Sequence, residues 1–520
     1  MNRRRLWLAV LVLWGLWAIR AHDILALAIF VDESLHIMRA QVVYEFSDAK
    51  ASILPAKLLL YYYLGLFNLQ DVGGAWVARQ AVALLAPLGA ALSFALARQL
   101  FRRWQAGILA MAIYGLMPFM IFFERMALAD SFAMIFGLVL AIVSVRLARR
   151  PSARQARIVG FWMGAALLAK LTTLPWAILP LLAAGLFGQW SRRDYWRHGV
   201  TVAVVAGALL LPSAAYMLYQ EFQPPENKVE SVEQDLFVVE DTSRLVQIRD
   251  NIETYAEAVR ALFSAPFLVL ILVLGGWQMF RMPREGGYLL AFTLTIWIFV
   301  VLTAARPSTR YLVLGVPGLL ILAAGGLDRL GQLLGASRLT VSKDRRGIIQ
   351  AVAIATTLLL LLWGGYSLRF ALTAWADPVD LPLAERDIWE YYENSASGYA
   401  LRAAAQDLPD LSRYEDHPSG DPIPVAGFVG ACHVMRLYLP ADSGVGLHCP
   451  YFRWSPEAAD ATLAEWEARI NQDGVWYVLA DVEQPMDVLS LPLRWEELAF
   501  YPRPYDGIDV RLYRVWAVEE

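Results

Sequence analysis

The sequence predicts a polytopic α-helical membrane protein with a C-terminal exported α/β domain, and three observations carry that prediction. Of its 520 residues, 58% are hydrophobic and 18% charged, with a mean hydropathy of +0.44, a balance foreign to soluble globular chains. Apolar stretches long enough to cross a bilayer recur from the N-terminus to about residue 368. Basic residues gather in alternate loops, and beyond residue 377 the pattern changes to short strand-like and helix-like runs. A net charge of −3 provides no electrostatic footprint for nucleic acid.

Apolar runs fall at 6–25, 75–100, 105–122, 127–146, 159–174, 176–188, 200–219, 263–280, 288–304, 311–327 and 348–368, about eleven spans by the length rule. Arg3, Arg4 and Arg5 precede the first run as they would in a signal peptide. No small-residue cleavage site follows, however, so the run is read as a span, broken near its end by Arg20, His22 and Asp23. Basic clusters then fix orientation, because short cytoplasmic loops are enriched in Lys and Arg. Arg98/Arg102/Arg103, Arg146 to Arg157, Arg192/Arg193/Arg197, Arg281/Arg284 and Arg338 to Arg346 all fall on the side of the N-terminal triplet. The N-terminus is therefore expected in the cytoplasm of a multi-pass cell-membrane protein. An odd number of spans exports the loop after the first span, the FFERMALAD turn, the Lys170 turn, the acidic stretch 221–253, the RPSTR turn and the tail.

The expected division is a membrane domain, 1–371, and an extracytoplasmic α/β domain, 372–520. After a juxtamembrane helical stretch, IPVAGFVG, VGLHC and GVWYVLAD read as strands, ACHVMRLYL and PEAADATLAEWEARINQ as helices, and LAFYPR with DVRLYRVW as a closing pair. Of the only two cysteines, Cys432 begins the helix after one strand and Cys449 ends the next strand, and in a βαβ unit those points lie at one end of neighbouring strands. A disulfide is geometrically reasonable there. His433 and His448 flank the cysteines, but without Cys-x-x-Cys or paired-His spacing a zinc site is not expected.

The charges at the exported mouth of the bundle are few. Asp32 and Glu33 open the first external loop, followed by Lys57, Arg79, Arg125, Asp130, Lys170 and Arg310-Tyr311. An ionised group in reduced dielectric is costly unless it has a partner or a task. Any one of these residues alone reads as a loop charge or a snorkelling side chain. Together, acidic positions beside several cations suggest a site that handles a phosphorylated group next to a carboxylate base.

In order and spacing, over about residues 6–327, this series resembles the GT-C membrane glycosyltransferases, in the branch of the protein O-mannosyltransferases and the bacterial aminoarabinose lipid A transferase (glycosyltransferase family 39-like). The shared features are Asp32-Glu33, Lys57 to Tyr62, Arg79 opening the next helix, the Arg125 to Asp130 turn, Lys170 ending a span, and Arg310-Tyr311 with Pro317 after it. Leu58-Leu59 stands where the family has a diproline, and the absence of Trp-Trp-Asp argues against whole-glycan transfer to asparagine. The resemblance implies inverting transfer of a hexosyl or pentosyl unit from a polyprenyl-phosphate-sugar donor to a lipid, glycan or protein acceptor outside the cytoplasm. It implies Asp32 as base with Glu33 and Asp130 in support, and Lys57 and Arg310 on the donor phosphate, with Arg79, Arg125, Lys170 and Tyr311 beside them. Should a divalent cation take part, Asp32 and Asp130 are its candidate ligands. The competing reading, a lipid or solute transporter, predicts midplane charges and internal repeats, whereas here the charges crowd one face. A noncatalytic assembly protein would leave the acidic pair without a task.

Overall fold

The computed structural model describes residues 3–46, 52–53, 57–222, 243–340, 343–414, 422–450, 456–481 and 488–518. Its two compact units interleave along the chain. One contains Met1–Ile24, Val42–Phe67 and Arg79–Ala384, the other Leu25–Gln41, Asn68–Ala78 and Glu385–Glu520.

The first unit is helical, as it must be in hydrocarbon, where a backbone lacking internal hydrogen bonds finds no water. Six helices among the described residues are long and apolar enough to cross a membrane: Asp71–Phe101, Ala129–Arg149, Arg192–Tyr219, Pro283–Thr303, Thr309–Gly335 and Gly347–Ala376. Ala129–Arg149 and Thr309–Gly335 are largely buried inside the unit, whereas Arg192–Tyr219 and Gly347–Ala376 are mostly uncovered by protein. Inner helices need a partner on every face, and the peripheral ones leave their apolar faces to lipid.

Several expected spans take interrupted forms for identifiable reasons. The run 105–122 becomes Trp104–Leu116 and Pro118–Phe123, because Pro118 forces Met117 into an extended conformation. The run 176–188 begins as a tight 3₁₀ segment, Leu171–Ile178, that contains Pro175, and then continues as the helix Leu179–Phe187. Arg244–Phe263 and Ala265–Arg281 meet at 97°, where Ser264 adopts φ 64° and Pro266 follows. Residues 244–253, expected in an acidic loop, are helical with Ser243 as N-cap, while 223–242 lie outside the described residues.

The second unit is built on a five-stranded sheet of order β2-β1-β3-β5-β4: β1 Ile423–Phe428, β2 Val445–His448, β3 Trp476–Asp481, β4 Arg494–Tyr501 and β5 Val510–Trp516. The pairs β1/β2 and β1/β3 are parallel, and β5 runs antiparallel to β3 and β4. Phe428, Trp466, Ile470, Trp476, Val478 and Val515 form its core, with Pro456–Asp473 as the covering helix. The helix expected over ACHVMRLYL shortens to Cys432–Met435. A disulfide joins Cys432 to Cys449, with Cα atoms 5.6 Å apart. Gly427 is fitted to it, since a Cβ there would lie 2.3 Å from the Cys432 sulfur.

Residues 25–41 and 68–78 belong to this second unit and residues 42–67 to the first, so the two units do not follow a single cut in the sequence. Phe30 pairs as an isolated antiparallel bridge with Ser397, and the Val31 N–H donates to the Ala396 carbonyl at 3.0 Å. The Ile29 N–H donates to the Tyr438 hydroxyl at 2.7 Å, and Arg402 donates to the Leu25 and Ala26 carbonyls at 3.2 and 3.3 Å. Gly398 permits this approach, because a Cβ there would sit 2.3 Å from the Ile29 carbonyl oxygen.

Candidate active site

Five of the singled-out residues bear on one another in the helical unit. Asp130 stands in the first turn of Ala129–Arg149, where the helix dipole favours a carboxylate. Lys170 ends Ala153–Ala169 in an extended conformation, at the change into the 3₁₀ segment Leu171–Ile178. Both side chains are buried, and the Lys170 ammonium donates to Asp130 Oδ1. The same ammonium lies 4.7 Å from the centre of the Tyr311 ring, whose neighbour Arg310 places its guanidinium carbon 5.6 Å from that ring. Arg310 and Tyr311 share the 3₁₀ turn Thr309–Gly315, and Lys57 immediately precedes the helix Leu58–Gly65. The positive charges of Arg310 and Lys57 both act on Lys170. Cations brought this close in low dielectric repel one another, and the Asp130 carboxylate offsets part of that cost at Lys170.

Arg79 and Arg125 form a different constellation, at the end of the Arg3–Ala21 helix. Arg125 donates to the carbonyls of Ile19, Arg20, His22 and Asp23 at 2.7–3.3 Å, and to that of Ala374 at 3.2 Å. Arg79 donates to the Ile24 carbonyl at 2.9 Å, Gln80 to that of Ala21 at 3.0 Å and the Trp375 indole to that of Ile19 at 2.9 Å. A helix ends here with carbonyls that the helix itself cannot satisfy, and guanidinium, amide and indole donors take them up. These arginines therefore hold the point from which the chain leaves toward the acidic pair.

Sequence reasoning overlooked a buried triad beside them. Arg20 Nε donates to Glu124 Oε2 at 2.8 Å, and the Tyr114 hydroxyl donates to Glu124 Oε1. Arg20 also reaches the Gly115 carbonyl at 2.6 Å. The available signal was Arg20 inside the first apolar run and Glu124 in the short gap between two others, since a charge at membrane depth calls for a partner.

Asp32 and Glu33 lie in the second unit, in the first turn of Val31–Val42. Their environments differ. Glu33 is 1% exposed, and its Oε1 accepts the Phe30 N–H at 3.0 Å, capping the helix start. Asp32 is half-buried. Among the described residues, no group of three or more His, Cys, Asp and Glu side chains is placed to hold a metal. His448 instead packs against Trp476 and Trp466 at ring distances of 5.2 and 6.0 Å.

No family model matches the chain, and no curated protein matches its sequence. Solved structures do match. ArnT from Cupriavidus metallidurans in the apo state aligns with a TM-score of 0.63 and 16% identity, over 98% of this chain and 97% of ArnT. The same enzyme bound to undecaprenyl phosphate aligns with a TM-score of 0.60 and 16% identity, over 98% of each chain. The apo oligosaccharyltransferase of Archaeoglobus fulgidus aligns with a TM-score of 0.53 and 12% identity, over 92% of this chain and 70% of that one. The chain thus has the fold of the GT-C membrane glycosyltransferases.

Proposed function

We propose that this protein is an integral membrane glycosyltransferase that moves a hexosyl or pentosyl unit from a polyprenyl-phosphate carrier to an acceptor hydroxyl, with inversion. The observation that carries the reading is the grouping of buried Asp130 and Lys170 with half-buried Arg310 and Tyr311, under the charge of Lys57, in a chain that shares its fold with a protein seen bound to undecaprenyl phosphate. In this reading about eleven spans leave the N-terminus in the cytoplasm and the second unit outside it. The acceptor is a lipid, a glycan or a protein.

The acceptor oxygen attacks the anomeric carbon from the face opposite the phosphate, its proton passing to the Asp32 carboxylate as the carbon–oxygen bond to phosphate breaks. The leaving phosphate goes from one negative charge to two. Lys57 and Arg310 meet that second charge, and Lys170, held by Asp130 and Tyr311, adds to the positive field. Glu33 keeps the helix start under Asp32 in place, while Arg79 and Arg125 fix the exit of the preceding helix. Incubation of the purified protein with a panel of radiolabelled polyprenyl-phosphate sugars tests the reading. Release of label from one carrier supports it, and intact carriers across the panel, with acceptor-containing membrane extract present, would refute it.

A further inference from the structure

We propose that an open groove of about 380 Å³ on the helical unit, lined by Arg154, Arg157, Ile158, Phe161, Trp162 and Val205, holds the headgroup of an anionic phospholipid. Ala153–Ala169 supplies every one of these residues except Val205, which comes from Arg192–Glu221. The two helices approach closely because Gly160 and Gly164 face the second of them. A Cβ on Gly160 would lie 2.7 Å from the Val202 carbonyl oxygen, and one on Gly164 would lie 3.1 Å from that of Ala206. Backbone packing therefore sets the floor of the groove.

Its chemistry is divided. Arg154 and Arg157 are its polar residues, both exposed, and neither side chain has a hydrogen bond or ion pair among the described residues. From Arg146 to Arg157 the chain carries five arginines and no acidic residue. Arg154 also stands in the first turn of its helix, where the dipole disfavours a cation, so helix stability does not account for its placement. A phosphate oxygen would meet both guanidiniums, and Arg suits that geometry better than Lys.

The remaining walls are apolar. Phe161 is 48% exposed and packs edge to face on Trp162 at 5.5 Å, and Trp162 in turn rests on Phe136 at 5.9 Å. Free phosphate would use only the arginine end of such a groove. A phospholipid uses both ends, with its phosphodiester on Arg154 and Arg157 and its glycerol and upper acyl chain along Phe161 and Trp162, at the depth where indole rings settle in bilayers. The loop belongs to the basic set, and basic pockets between helices on that side face the anionic leaflet.

The full-length protein and an Arg154→Ala/Arg157→Ala variant, in detergent, are each incubated with phosphatidylglycerol, with phosphatidylcholine and with soluble glycerol phosphate, and retained molecules are counted by native mass spectrometry. The wild type should retain phosphatidylglycerol in preference to phosphatidylcholine, and the variant should lose that preference by roughly tenfold. An Arg154→Lys/Arg157→Lys variant should keep part of it. Equal phosphatidylglycerol retention by wild type and the alanine variant would overturn the proposal, as would a wild type indifferent to the two lipids. Displacement of the lipid by millimolar glycerol phosphate would overturn the lipid assignment in favour of a soluble phosphate.

Discussion

At the scale of single residues, the distinction that matters is between charges proposed to act on a substrate and charges that hold backbone. Asp32→Asn preserves size and removes the proton acceptor. Turnover should fall by about 10²–10⁴-fold with donor binding near normal, measured by single-turnover transfer beside a lipid-binding assay. Ordinary transfer by this variant would move the base to Glu33 or Asp130. Lys57→Ala and Arg310→Ala should each weaken donor binding, and unchanged donor affinity in both would assign the phosphate to other groups. The proximity of Asp130, Lys170 and Arg310 was foreshadowed in the sequence, because ionised residues in apolar surroundings are few and these three stand out. Their division of labour was not. Arg125 and Asp130 are five positions apart in one turn, yet the first reaches backbone carbonyls and the second a lysine. Only the fold decides which partner each side chain reaches. Glu33, adjacent to Asp32, likewise turns inward to cap its own helix.

At the scale of elements, the tail's sheet and its disulfide make separate contributions. The Cys432–Cys449 bridge spans 17 residues, and loop closure of that length is worth about 3 kcal/mol. A Cys432→Ala/Cys449→Ala variant should show that loss in denaturant unfolding of the second unit, and an unchanged midpoint would refute it. His433, in the short helix after β1, has its pKa pushed below the ordinary 6.5 by burial and then by the charge of Arg436. The folded form then binds this proton less readily than the unfolded one. Its contribution is complete above about pH 6.5 and declines as pH falls through and below that value. Unfolding midpoints measured from pH 7.5 to 5 should fall for the wild type and flatten for His433→Gln; parallel curves would exclude this residue. Alternating strand and helix patterns made β1, β2, β3 and the Pro456–Asp473 helix readable. The breaks at Met117, Pro175 and Ser264 were harder to place, since composition counts apolar length and is blind to one proline or one positive φ.

At the scale of the whole molecule, orientation rests on the arginine-rich loops. A reporter active only outside the cytoplasm, fused at Glu520, should be active, and activity of a cytoplasmic reporter at that position instead would reverse the topology. The linear reading anticipated a tail that follows a membrane bundle, whereas residues 25–41 belong to the tail's unit and find their hydrogen bonds with chain made far later.

That weaving has a consequence for the protein's birth. The tyrosine hydroxyl that Ile29 bonds leaves the ribosome 409 residues after it. At about 5–20 residues per second, the segment carrying Asp32 waits roughly 20–80 s for its companions. Nascent chains arrested before the sheet is made would hold the helical unit and its lysines while lacking the lattice that shapes the acidic segment. The segment that carries Asp32 therefore takes its final bonds only after the chain around Ala396, Ser397 and Tyr438 has been made.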